Sequence, residues 1–148
     1  MSLSDWLANR WLAEHRVSRE EIADLLAVVD RDLEDAAIDR LSADWRLGIS
    51  YNAALQLAIL ALAAEGYRTD RQRAHERAIQ SLRFTVELEQ DHIAVLDGVR
   101  RKRNVANYER AGTASAREAE EIFQLAHDLR TRVLEWLERH HPHLLTTT

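Results

Sequence analysis

Residues 53–64 read Ala-Ala-Leu-Gln-Leu-Ala-Ile-Leu-Ala-Leu-Ala-Ala, with Gln56 as the single polar side chain. Twelve residues cannot span a bilayer, so the run is a buried core helix and no membrane contact is expected. A helix apolar nearly all round belongs at the centre of a bundle. Its alanines let neighbouring helices approach closely. The helix reaches back toward Ser42, which either caps it or kinks a longer one. It stops at Gly66, a plausible C′ glycine. Gly48, inside the pattern, costs about 1 kcal/mol against Ala unless close packing recovers it.

The remainder of the chain has the composition of a bundle around that helix. It is 148 residues long, the size of one ordinary domain. Four Gly and one Pro stand against 22 Ala. A β-sandwich or barrel needs many turns, and this chain lacks the residues to make them. Hydrophobic residues at 46% and charged residues at 30% argue against disorder. Cysteine is absent, which excludes disulfides, thiolate nucleophiles and zinc fingers. The expected fold is all-α, an up-and-down bundle of about five to six helices in one domain over residues 1–148. Its core is expected over residues 18–141. Asn9 and Arg10 interrupt Trp6–Trp11, so no signal peptide is read and the chain is expected in the cytoplasm.

Start signals and apolar stripes place the other helices. Ser4 is positioned to cap a first helix through His15, with Trp6, Leu7, Trp11 and Leu12 on one face. Ser18 and Glu21 form a capping box for a second helix. Its stripe runs Ile22, Leu25, Leu26, Val29, Leu33, Ala37 and Leu41. Asp70 is positioned to cap a fourth helix over Arg71–Phe84, striped by Ala74, Ala78 and Leu82. A fifth runs from about Glu89 to Tyr108 and presents Ile93, Leu96 and Val99 or Arg100. Ser115 and Glu118 form another capping box. The last helix carries Ala119, Ile122, Phe123, Ala126, Leu129, Val133 and Trp136 or Leu137, and Pro142 ends it.

Charge is uneven along the chain. The net charge of −5 excludes a basic nucleic-acid coat. Residues 18–46 hold nine acids against four bases, whereas residues 98–110 hold five bases against Glu109 alone. Arg68, Arg71, Arg73, Arg77 and Arg83 add a second basic stretch, diluted by Asp70 and Glu76. Such runs are usually solvated helix faces, but a local positive field attracts phosphates.

The most informative stretch is residues 100–108, Arg-Arg-Lys-Arg-Asn-Val-Ala-Asn-Tyr. Four bases near a helix C-terminus are favoured by its dipole whatever their function. Arg101, Asn104, Val105 and Tyr108 also share one helical face. That face offers a guanidinium fork, a carboxamide and a phenol. The planar fork suits a phosphate diester, and a Tyr ring stacks on a base while keeping its hydroxyl to donate.

From about Ile22 to Leu137 the chain resembles a HEPN domain. The resemblance rests on residues 41–58, Leu-Ser-Ala-Asp-Trp-Arg-Leu-Gly-Ile-Ser-Tyr-Asn-Ala-Ala-Leu-Gln-Leu-Ala, with Tyr51, Asn52 and Ala53 as anchor. The Arg-Asn segment and the long capped terminal helix complete it. It implies a helical bundle that dimerises, with RNA or a nucleotide as ligand and no cofactor. It also implies a toxin-like role in a toxin–antitoxin or defence module. The family's ribonucleases are metal-independent and use an Arg followed after four to six residues by His. With Arg103 as the motif Arg, Asn104 takes the polar position and Tyr108 stands where His is expected. With Arg101, the longer form Arg-x4-His-x-Tyr puts Ala106 in the His position and Tyr108 on the Tyr. Neither register contains the His, whose ordinary pKa near 6.5 suits proton exchange, and a Tyr near 10 is a poor base at pH 7. The resemblance therefore implies RNA binding with cleavage slow or lost. It assigns Arg103, Asn104 and Tyr108 to the catalytic positions and Arg100, Arg101, Lys102 and Arg103 to the nucleic acid. Tyr108 is also the candidate acceptor of a nucleotide from a partner nucleotidyltransferase antitoxin, the alternative being a packing role at the dimer interface.

Other patterns are weaker. Glu89–His92 and Glu138–His141 are both Glu-x-x-His, a spacing used by ferritin-like di-iron bundles. Such bundles also need two further inward Glu residues, which the apolar stripes do not contain, so no metal is expected. His140, His141 and His143 read as a solvated tail. His75, between Arg73 and Arg77, is a remote substitute for the missing His. Trp6, Trp11, Trp45 and Trp136 read as core or interface residues. A non-enzymatic helical module that docks a protein partner is the alternative to the RNA reading.

Overall fold

The computed structural model describes residues 1–106 and 114–145, the side chains of residues 104–106 excepted. Tyr108 lies outside the described residues. Among them are six α-helices and one two-stranded ribbon, so the all-α bundle expected from composition is the observed fold.

Helix α3 (Ala43–Ala64) is its spine. The Ser42 side chain accepts the Trp45 N–H, so Ser42 caps a separate helix rather than kinking a long one. From Ala53 onward nearly every side chain is buried. Gly66 follows the C-cap with φ of 93°, a left-handed conformation that glycine adopts without strain. With its N-terminal turns, α3 reaches 22 residues and is long and apolar enough to cross a membrane by length and composition alone. The twelve-residue run does not decide the matter by length. In this fold 72% of the apolar window is covered by the rest of the chain, as for a core helix.

Four helices cover α3. Helix α2 (Arg19–Ala36) is capped by Ser18 and buries Ile22, Val29, Leu33 and Ala36. It ends before Leu41, one turn short of the expected stripe, because Ala37 and Ile38 turn back onto Glu34 and Asp35. Glu21 leaves its capping box half made, since its carboxylate pairs with His15 Nε2 at 2.8 Å. Helix α4 (Ala74–Thr85) buries Ala78, Ile79 and Leu82. Helix α5 (Gln90–Ala106) buries Ile93, Leu96 and Val99. Helix α6 (Ala116–His140) starts at the expected Ser115–Glu118 capping box and buries both Trp136 and Leu137. A 3₁₀ turn over Pro142–Leu144 returns Leu144 to the core. The main core runs from Ile22 to Leu144.

Two expected helices are corrected. The first is α1 (Leu3–Ala8), capped by Ser2 rather than Ser4 and ended well before His15. Arg10 turns at φ of 65°, and residues Leu12–Glu14 form strand β1. Strand β1 pairs antiparallel with β2 (Tyr67–Thr69). The pairing lets Trp6 and Leu12 bury against Leu62 in a small second core, a tertiary gain that local helix propensity does not register. The fourth helix begins at Ala74, not Arg71. The Asp70 N–H is bound to the Trp11 carbonyl beside the ribbon, so Asp70 is not the cap. Arg73 stands at the N-cap with φ of 56° and no side-chain cap bond.

Candidate nucleic-acid interface

The four bases of residues 100–103 occupy the last turns of α5, where the helix dipole favours cations. Helical spacing gives each a different environment. Arg100 turns inward, and its Nε donates to Asp97 Oδ1 at 2.8 Å in a mostly covered pair. Asp97 also receives Arg101 Nε at 3.3 Å, but the Arg101 side chain stays 68% exposed. Lys102 reaches across to α6 and donates to Glu118 at 2.9 Å. That bond holds the Glu118 carboxyl below its ordinary range. Arg103 lies over α3. Its guanidinium carbon is 5.3 Å from the centre of the Tyr51 ring, a cation–π distance. The same guanidinium passes 3.8 Å from the point where a Gly48 Cβ would stand.

Tyr51 is buried, and its hydroxyl has no hydrogen-bond partner among the described residues. Burial pushes its pKa up to about 12, against the opposing pull of Arg100 and Arg103. It is therefore a neutral ring at physiological pH and not a general base. The neighbouring Asn52 has a different task. Its amide donates to Asp32 Oδ2 at 2.7 Å, and Arg31 donates to the other oxygen, which satisfies a buried carboxylate of α2.

The second basic stretch is distributed over the ribbon and α4. Arg77 lies over the Trp11 ring at 4.7 Å and Arg83 over Phe84 at 4.4 Å. Arg73 holds Glu76 through two bonds of 2.6 and 2.8 Å, which lowers the Glu76 carboxyl. Arg100 acts on Glu76 as well, so the start of α4 and the end of α5 share one charge network. His75 is exposed in the first turn of α4.

Arg100, Arg101, Lys102 and Arg103 thus lie together at one end of the bundle, with Arg101 outward and Arg103 on the spine. Asn104 belongs to α5, and its side chain lies outside the description, as does Tyr108. The sequence reading missed Asp97, although its spacing of three and four residues from Arg100 and Arg101 is a legible helix pairing. It also missed Gly48 and Tyr51 as the bed of Arg103, which no local spacing reveals.

The two Glu-x-x-His pairs are placed elsewhere and apart. Glu89 is engaged by Arg132 at 2.9 Å and by His92 at 3.1 Å, and the Arg132 bonds are the main reason its pKa falls to about 2. His141 approaches Glu65 at 3.4 Å and packs on Trp136. Among the described residues no group of three His, Asp or Glu side chains is gathered to hold a metal.

Comparison with protein-family models, with curated proteins and with solved structures finds no match to this chain. What it does must be argued from its own residues.

Proposed function

We propose that this chain is an RNA-binding protein of the HEPN type, toxin-like within a toxin–antitoxin or defence module and working in the cytoplasm. The observation that carries the reading is the end of α5. Arg101 is outward there, and Arg103 turns onto the Ser-Tyr-Asn-Ala segment of α3 on which the resemblance also rests. Arg101 and Arg103 hold phosphate. Asn104 supplies a hydrogen bond, and Tyr108 stacks on a base or accepts a nucleotide from a nucleotidyltransferase antitoxin. Two copies dimerise and join their basic ends into one groove. With no His in the motif, binding outlasts cleavage.

The test is titration of single-stranded RNA over a salt series, with circular dichroism to confirm folding. Wild-type affinity is expected to fall with salt. Arg101→Ala should weaken binding and reduce the slope by about 0.7, one single-strand phosphate contact. Binding that is absent, or unchanged in Arg101→Ala, overturns the reading and leaves a protein-docking bundle. RNA loss above an Arg103→Ala control separates a ribonuclease from a binder.

A further inference from the structure

Three of the four tryptophans are accounted for by packing. Trp6 and Trp136 are buried, and Trp11 packs on Trp6 beneath Arg77. Trp45 differs, being 68% exposed in the first turn of α3. Its backbone N–H is engaged by Ser42, and its indole is left to solvent.

The position of that indole gives it a chemistry. Trp45 and Gly48 are three residues apart, so they share a face of α3 with Cβ positions about 5–6 Å apart. Gly48 is where the Arg103 guanidinium crosses the helix, at 3.8 Å. Two further contacts close the same corner. Asp44 Oδ1 accepts the Ala114 N–H at 2.9 Å, joining the start of α3 to the approach of α6. Lys102 ties the end of α5 to Glu118 in the first turn of α6. The exposed indole thus stands where α3, α5 and α6 converge, one helical turn from the Arg103 guanidinium. A flat aromatic beside arginines is the pairing that single-stranded nucleic acid uses: cations track the phosphates and the ring takes a base.

We propose that Trp45 is a stacking platform for an unpaired RNA base, beside the Arg103 guanidinium. The proposal rests on the RNA reading above and adds the residue that takes an unpaired base. It makes Trp45 a binding residue and gives it no part in bond cleavage. The indole accepts any base face, so the preference is for strandedness over sequence.

The experiment measures binding of a single-stranded oligoribonucleotide, the same backbone carrying abasic residues, and the corresponding duplex. Trp45→Ala should weaken the single strand by roughly 5- to 100-fold, one base stack, with the salt slope unchanged. The abasic strand and the duplex should bind both proteins alike, and Trp45→Phe should recover most of the loss. If Trp45→Ala binds as wild type while Arg101→Ala is weakened, the platform is overturned and the RNA reading stands. If Trp45→Ala shifts the monomer–dimer equilibrium in light scattering, with binding falling only in step, Trp45 is a contact between copies and the proposal fails. If no protein binds RNA in a salt-dependent way, the RNA reading and the platform fail together.

Discussion

Tyr51 is 3% exposed beneath Arg103, and its hydroxyl meets no partner among the described residues. A buried hydroxyl without a hydrogen bond costs on the order of 1–3 kcal/mol. The value of Tyr51 therefore lies in its ring, which fills the core and supports a guanidinium. Tyr51→Phe should be neutral or stabilising by up to about 1 kcal/mol in urea unfolding, because it removes the stranded group and keeps the ring. A loss above that size would show that the hydroxyl is bonded. Asn52, next in the chain, has the opposite logic, since its carboxamide satisfies Asp32. The residue types at 51 and 52 stand out in the sequence. Which of the two is a polar tie and which an apolar bed is not legible there, because the answer depends on what α2 and α5 place opposite them.

At the scale of elements, capping chemistry held at three of the five expected helix starts, with Ser2 in place of Ser4 and Arg73 in place of Asp70 at the others. Ser18, Ser42 and Ser115 each cap a helix as their spacing suggests, because a cap bond closes within three residues. The errors fall where a distant segment competes. Residues 12–14 left the helical pattern to pair with 67–69, and Asp70 was drawn to Trp11 rather than to a helix start. Gly48 is a subtler case. Its place within α3 suggested close packing as compensation, yet an added Cβ would stand 3.8 Å from Arg103, an ordinary contact. Gly48→Ala should therefore stabilise the protein by about 0.5–1 kcal/mol, the helix-propensity gain, in thermal or urea unfolding. Destabilisation would mean that Arg103 cannot give way. Arg100–Arg103 were legible as a basic run and placed on the correct helix. Their division into inward, outward, bridging and stacked roles was not, since Asp97, Glu118 and Tyr51 come from three different places in the chain.

The whole molecule is organised by α3, which packs against α2, α4, α5 and α6. Leu60 lies at its centre, fully buried among those helices. Leu60→Ala should cost about 2–5 kcal/mol, read as a lowered urea midpoint, because the surrounding helices cannot all collapse into the space. A loss below 1 kcal/mol would mean that the bundle yields around α3. The sequence by itself determined that this is an all-α bundle around one apolar helix with a basic end to a late helix. Those are properties of periodicity, capping and composition, which act over a few residues. Only the tertiary structure decided that a β-ribbon seals the amino-terminal end, that Asp97 engages Arg100, and that Trp45 alone among the tryptophans faces solvent. Each of those depends on segments far apart in the chain, and the burial that brings them together is not encoded in any one of them.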